Sequence, residues 1–242
     1  RRNRATTCRI PRASVAEPCR TIPSVHVDHE ATLGKLPVDI HPYTGQYDVS
    51  GFTCGDEPHH ADLNDFLKTD ALRYSATSMS QTYVAVADGR VVGYVTLLTD
   101  AIWLNPDEKG ELQRADVPPA QTVPALKVGR LARHKSCTIP LVGSALMRFA
   151  FDILIDISER AGCRLLSVDA IPSALSFYEK LGFVRNLHFN HAGKKRETTS
   201  MRFDAFSRAR PTWTLHVPLM RPASPTDLPI DQVDRGKRFG AA

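Results

Sequence analysis

The sequence predicts an α/β domain in which helices flank a mixed central sheet. Two Val- and Tyr-rich runs, 82–87 and 90–98, are joined by Asp88-Gly89, a pair that favours a hairpin because both positions tolerate positive φ. A long amphipathic pattern then precedes a buried apolar run at 164–170. The order of elements is helix, hairpin, strand, helix, strand, helix and closing strands, which is typical of a mixed sheet.

Composition excludes several classes of protein. The chain has 242 residues, 42% hydrophobic and 24% charged, so it is neither fully disordered nor fibrous. Arg148, Asp152 and Asp156 interrupt the most apolar stretch, and the basic N-terminus has no apolar h-region. Five cysteines without CxxC spacing argue against disulfides and zinc, and His59 and His60 beside one of them are expected to be solvated. We therefore expect a cytoplasmic protein without a membrane span or a metal.

The positive charge belongs to the ends of the chain. The net charge is +5, but residues 1–20 carry +5 and residues 206–242 carry +3, which leaves −3 between them. Basic arms can help to capture RNA, although a solvated arm is the simpler expectation. We expect residues 1–42 to form a disordered basic leader, residues 43–206 the domain, and residues 207–242 a Pro-rich tail.

Within the domain, the first element is a helix whose buried face carries Leu63, Phe66, Leu67 and Ala71. The hairpin follows, and residues 105–122, with several Pro and Gly, are predicted to form an exposed loop.

The second half alternates strands and helices. A strand at 125–133 leads into a helix at about 140–160, which should end at Gly162 in a left-handed cap. A buried strand is expected at 164–170, a short helix at 173–181, and closing strands at 183–187 and 198–206.

Four segments together resemble the GNAT superfamily of N-acetyltransferases. They are 126–132 (LKVGRLA), 143–146 (GSAL), 162–170 (GCRLLSVDA) and 176–183 (SFYEKLGF). Three earlier segments resemble one branch of it: 52–55 (FTCG), 63–67 (LNDFL) and 91–94 (VVGY). That branch includes the toxins of toxin–antitoxin pairs that acetylate aminoacyl-tRNA. The resemblance covers about residues 45–205, and the FYEKLGF segment is its most specific part.

The resemblance implies a fold in which the strand at 125–133 splays from its parallel neighbour at 164–170. The backbone groups of Leu131, Ala132 and Arg133 would then bind the pantetheine arm of acetyl-CoA. The following turn and helix N-terminus, Lys135 to Ser144, would bind the pyrophosphate through N–H donors and the helix dipole.

The pyrophosphate segment departs from the family pattern, which is Gln or Arg, two residues, Gly, one residue, Gly. Ungapped alignment places residues 138–143 there, and only Gly143 matches. Ile139 and Leu141 stand where a glycine or an open backbone would allow close approach, and Pro140 has no N–H. Val142 and Ser144 complete the implied binding segment, and Lys135 and Arg133 would add positive charge.

The resemblance implies that Tyr178 is the catalytic acid that protonates the departing thiolate. The alternative role for Tyr178 is packing against the sheet beside Phe177. Asp169 is a candidate general base, with capping of the turn at Pro172 and Ser173 as its alternative. His134 is a weaker candidate base, and many family members use water alone.

Two functions follow. The first is transfer of an acetyl group from acetyl-CoA to a primary amine, carried by aminoacyl-tRNA, a small molecule or a protein. The second is a non-catalytic binding or regulatory module that kept the fold while its pyrophosphate loop degenerated. A homodimer and an antitoxin partner are both compatible with the sequence, and neither is identified by a motif.

Overall fold

The computed structural model describes residues 38–113, 118, 120–187 and 198–206. Seven strands form a sheet in the order β1-β2-β3-β4-β5-β7-β6. The strands are β1 (Asp39–Pro42), β2 (Gln81–Ala87), β3 (Arg90–Trp103), β4 (Thr122–Arg133), β5 (Leu165–Ala170), β6 (Val184–Arg185) and β7 (Thr199–Asp204). β4 and β5 are parallel and the other neighbours are antiparallel. The predicted mixed α/β fold is confirmed.

The helical elements lie between these strands. They are α1 (Pro58–Asp65), a π-helical segment (Phe66–Asp70), α2 (Ala71–Ala76), α3 (Pro106–Gln113), α4 (Val142–Ala161), a 3-10 turn (Pro172–Ala174) and α5 (Leu175–Lys180). The predicted first helix is therefore longer than its apolar pattern. It begins at Pro58, whose fixed φ suits the first helical position and whose missing N–H costs nothing there.

The sheet has two covered faces. Successive residues of a strand point to opposite sides, and Val95 packs with α4 while Tyr94 packs with Phe66 and Leu67. A third apolar cluster joins Leu112 of α3 to Ala125 and other residues that point away from α4. We call the two sides the α4 face and the α1 face, and α3 lies on the α1 face.

Local turn chemistry agrees with the sequence. Asp88 and Gly89 have φ of 48° and 72°, as a tight hairpin requires. Gly162 ends α4 with φ of 70°.

Three sequence predictions are corrected. β1 lies in the last residues of the predicted disordered leader, where it pairs with β2. α3 lies in the predicted loop, because its buried Glu108 pairs with Arg202 of β7. β3 continues past residue 98 to Trp103, since β4 pairs with it along that length.

Other predictions concern residues that the structure does not describe, namely residues 1–37 of the leader and 207–242 of the tail. Among the described residues, no helix has the length and apolar character needed to cross a bilayer.

Candidate functional site

A gap opens between β4 and β5 at the middle of the sheet. The two strands pair from Ala125 with Leu165 to Val128 with Val168. Beyond that point β4 remains paired with β3 as far as Arg133, and β5 remains paired with β7 as far as Ala170. The last residues of β4 therefore have hydrogen-bonding groups on one side that no described strand satisfies. We call this opening the β4–β5 gap.

A bulge at Gly129 starts the separation. Thr96 pairs with Arg130 and Leu97 with Val128, so Gly129 is an extra residue in β4. A Cβ at Gly129 would lie 2.8 Å from Cδ2 of Leu98. A larger residue there would displace the end of the Leu98 side chain, and the bulge adds twist that turns β4 away from β5.

The alternation of backbone groups along β4 determines which residues face the gap. The N–H of His134 donates to the carbonyl of Val92 at 2.8 Å. Since hydrogen-bonded pairs alternate in an antiparallel ladder, Ala132 faces Tyr94, whereas Leu131 and Arg133 direct their N–H and C=O groups into the gap. This corrects the prediction that Ala132 also offers backbone groups, because its backbone is turned to β3.

The turn before α4 places Leu141 in a backbone conformation that favours glycine. Leu141 has φ of 60° and ψ of 13°, in the left-handed region, and 62% of it is exposed. That region favours glycine, and ungapped alignment places a family glycine at this position. The backbone thus supports the alignment. Ile139, in contrast, packs against the core.

The N-terminus of α4 offers unpaired donors. Within the part of the chain that the structure describes, it has no side-chain cap, and its first turn contains no acidic residue. Its first residues are Val142, Gly143 and Ser144, and a Cβ on Gly143 would lie 3.4 Å from the ring of Phe177. Free N–H groups and the helix dipole favour an anion at such an end, and α5 lies directly beside it.

The two basic residues predicted near this segment are placed differently from one another. The ammonium of Lys135 lies 3.2 Å from the carboxylate of Asp56. The backbone N–H of Lys135 donates to the carbonyl of Thr53 at 2.7 Å. Both charged side chains are exposed, so the ion pair is weak and readily exchanged. Arg133 is exposed at the end of β4.

Tyr178 lies in α5 on the α4 face. Its ring packs against Phe177 and Phe183 at centroid distances of 5.1 and 5.5 Å, and only 5% of the residue is exposed. Its hydroxyl makes no hydrogen bond within the described residues. The hydroxyl oxygen is also not fully buried, so solvent or a ligand can reach it. Burial raises the pKa of Tyr178, so the hydroxyl keeps its proton at neutral pH. A protonated, reachable phenol can donate a proton, although the raised pKa makes Tyr178 a weaker acid than an exposed tyrosine.

Asp169 lies on the opposite face of the sheet from Tyr178. Its neighbours Val168 and Ala170 pack on the α4 face, and its carboxylate binds Lys127 at 2.8 Å. Ile171 begins the next turn without a side-chain cap, so the capping role considered for Asp169 is wrong. Its carboxylate and the ammonium of Lys127 lie at the point where β4 and β5 separate.

His134 is poorly placed to act as a base. Its Nδ1 accepts a hydrogen bond from the N–H of Ser136 at 3.2 Å, and its Nε2 lies 3.3 Å from the carbonyl of Gly51. With Nδ1 accepting, Nε2 carries the proton and donates, so both nitrogens are in use.

Two further polar residues of this site were not identified from the sequence. Lys127 and Arg130 both point to the α1 face next to the gap, as the partners Asp169 and Asp62 show. Strict alternation would have predicted this for Lys127, whereas Arg130 depends on the bulge, which reverses the alternation after Gly129. No group of three His, Cys, Asp or Glu side chains suited to a metal occurs in the described part of the chain.

Comparison with known proteins gives relatives in one group. A tRNA-acetylating toxin of Mycobacterium tuberculosis (strain ATCC 25618 / H37Rv) is 31% identical over 137 residues, which cover 56% of this chain and 78% of that protein. No family model matches the sequence.

Solved structures agree with the sequence relative. A Tyr-to-Phe mutant of KacT is 25% identical with a TM-score of 0.58, covering 70% of this chain and 95% of that one. AtaT in complex with acetyl-methionyl-tRNAfMet is 24% identical with a TM-score of 0.57, covering 69% and 94%. An AtaT mutant bound to acetyl-CoA and to the C-terminus of the antitoxin AtaR is 25% identical with a TM-score of 0.53, covering 69% and 93%.

The splayed sheet and the extent of the sequence match define the class. The chain belongs to the GNAT-fold family of tRNA-acetylating toxins.

Proposed function

We propose that the protein transfers an acetyl group from acetyl-CoA to a primary amine. The observation that carries the proposal is the β4–β5 gap, where the backbone groups of Leu131 and Arg133 lie open in the sheet whose α4 face packs against Tyr178. The related AtaT structure with acetyl-CoA supports the choice of donor.

The described residues fit acetyl-CoA well at the gap and less completely at the loop. The C=O of Leu131 and the N–H and C=O of Arg133 match an amide-bearing arm that pairs like a strand, which leaves the N–H of Leu131 for the thioester oxygen. At the loop, Leu141 retains the left-handed turn and α4 retains its free N-terminal donors, but Pro140 contributes none. We expect the affinity to depend mainly on the gap and on the donors of Gly143 and Ser144.

The protein's own groups perform three tasks in this reaction. The N–H of Leu131 stabilises the negative charge that develops on the thioester oxygen when the amine attacks. The C–N bond forms first, and the C–S bond breaks when the carbonyl re-forms, as Tyr178 donates its proton to the departing sulfur. The proton lost by the amine passes to water or to Asp169, which lies on the α1 face.

For the acceptor we propose the amino group of an aminoacyl-tRNA. The printed names of two relatives, a tRNA-acetylating toxin and AtaT with acetyl-methionyl-tRNAfMet, support this choice. By the same reasoning we propose an antitoxin protein as a partner, as AtaT has in AtaR.

The altered loop favours a second candidate, a binding module without activity. A thermal-shift experiment with acetyl-CoA separates the two. A ligand at 100 times its Kd stabilises the native state by about 2.7 kcal/mol, which raises the melting temperature by several degrees. We expect such a rise, and a melting temperature that does not change would favour the module.

A further inference from the structure

Arg130 has an unusual environment for a half-buried guanidinium. It lies 3.8 Å above the ring of Phe66, and its side chain is 27% exposed. Its nearest carboxylate is Asp62 at 3.4 Å, and Asp62 is 72% exposed. The guanidinium of Arg130 makes no hydrogen bond within the described residues, and its buried Nε has no partner there.

These contacts fix the position of the guanidinium without satisfying it. Stacking on an aromatic ring holds the plane of the group. A guanidinium offers five donors in a fork that matches a phosphate or a carboxylate, and a buried donor without a partner destabilises the protein. Asp62, which is mostly exposed and makes no hydrogen bond to the guanidinium, is a weak partner at a place suited to a stronger anion.

The position of Arg130 relates this group to the acceptor. It precedes Leu131, whose backbone faces the gap, and its side chain points to the α1 face. α4 and Tyr178 cover the other face, so we infer that the amine approaches from the α1 face. An anion on the acceptor would then meet Arg130 within one residue of the reacting centre.

We propose that Arg130 binds a backbone phosphate of the acceptor's nucleic-acid strand and thereby positions the amine. The proposal rests on the proposed function and names the acceptor feature that the site selects. Asp62 competes for the same guanidinium in the absence of acceptor. Arg130 is a positioning residue, because it touches the carrier and not the reacting atoms.

Four variants test the proposal with aminoacyl-tRNA and with the same amino acid as its amide, which lacks phosphate. Arg130→Met keeps an apolar stem on Phe66 but removes the charge. We expect it to raise KM for aminoacyl-tRNA about tenfold or more with little change in kcat, and to leave KM for the amide unchanged. Asp62→Asn should lower KM for aminoacyl-tRNA.

Arg164→Met is the matched control. Arg164 also contacts a ring and has an unpaired buried Nε, but it lies just before β5 and donates a hydrogen bond to Asp204. It should leave both values of KM unchanged, and Arg164→Lys serves if that variant does not fold.

Equilibrium binding of aminoacyl-tRNA gives a readout that a purely structural role would not change. Loss of one phosphate contact lowers the slope of log affinity against log salt by about 0.7 for a single strand. Binding does not require turnover, so an inactive wild type would count against the proposed function while leaving this test intact. An unchanged slope in Arg130→Met, or an unchanged affinity in Asp62→Asn should Arg130→Met fail to fold, would overturn the role of Arg130.

Discussion

Leu141 illustrates how one residue can keep a functional backbone at a cost. A leucine in the left-handed region carries about 1–2 kcal/mol of strain that a glycine avoids. Its side chain is mostly exposed, so little packing compensates for that strain. The chain therefore retains the turn before α4 without the residue that suits it.

Leu141→Gly should raise the free energy of unfolding by up to about 1 kcal/mol, since relief of strain exceeds the flexibility that glycine adds. It should also tighten acetyl-CoA, because the backbone donors become more accessible. Chemical denaturation and a binding titration measure the two effects. Leu141→Ala is the control, since it shortens the side chain but keeps the strain, and equal gains from Ala and Gly would contradict this explanation.

Asp169 gives a second prediction at this scale. Its pairing with Lys127 joins β4 to β5 where they separate, so we assign it mainly to holding the mouth of the gap. Asp169→Asn should therefore lower kcat by well under the ~10² that loss of a general base costs. Steady-state kinetics measures kcat of this variant. A loss of kcat of ~10² or more would show that the carboxylate of Asp169 is the general base.

Among the helices and strands, the sequence patterns predicted the turns and helix ends that neighbouring residues determine. The hairpin at Asp88-Gly89 and the end of α4 at Gly162 depend on residues that tolerate positive φ. β1 and α3 were not predicted, because contacts with residues far away in the sequence stabilise them. β1 is four residues long and depends on pairing with β2, and α3 contains Gly110 and depends on an ion pair with β7.

Helix α4 contains a buried ion pair with a pH-dependent effect on stability. Arg148 and Asp152 lie 3.1 Å apart, and burial raises the pKa of Asp152 from 3.8 to about 6 despite the nearby guanidinium. A raised pKa in the native state means that its stabilising contribution is complete below about pH 4 and is lost as pH rises through about 6.

The raised pKa of Asp152 corresponds to a change of about 3 kcal/mol in the free energy of unfolding across that pH range. The free energy of unfolding of Asp152→Asn, subtracted from that of the wild type at each pH, should isolate this contribution. We expect the difference to fall by that order between pH 4 and pH 7, as measured by urea denaturation. A difference that rises with pH would show that the ion pair outweighs burial.

At the scale of the whole molecule, one buried ion pair joins parts far apart in sequence. Glu108 of α3 is fully buried and accepts hydrogen bonds from Arg202 and from the N–H of Leu187. Removing one partner of a buried pair typically costs about 3–5 kcal/mol, because the other charge stays buried alone. Arg202→Met should therefore lower the free energy of unfolding by that amount.

Adding Glu108→Gln to Arg202→Met should recover part of the loss, which a double-mutant cycle measures. Arg185→Met, which breaks an exposed pair with Glu179, is the control and should cost no more than about 1 kcal/mol. If Arg202→Met costs no more than this control, the pair does not hold α3 to the sheet.

The site was predictable from sequence in its outline more than in its contacts. The family resemblance gave the gap, the turn at Leu141 and the helix that carries Tyr178. It did not predict that Ala132 turns to β3 or that Arg130 stacks on Phe66, because both follow from the bulge at Gly129. A one-residue insertion in a strand changes which side chains share a face, and composition does not reveal it.

The most direct test of the account is transfer of a labelled acetyl group from acetyl-CoA to aminoacyl-tRNA in a single turnover. The wild type should form an amide on the amino acid, and uncharged tRNA should remain unlabelled. Tyr178→Phe, which keeps the ring and its packing, should react about 10²–10⁴ times more slowly while binding acetyl-CoA equally well. A wild type that binds acetyl-CoA but labels neither aminoacyl-tRNA nor any other amine would contradict the central claim.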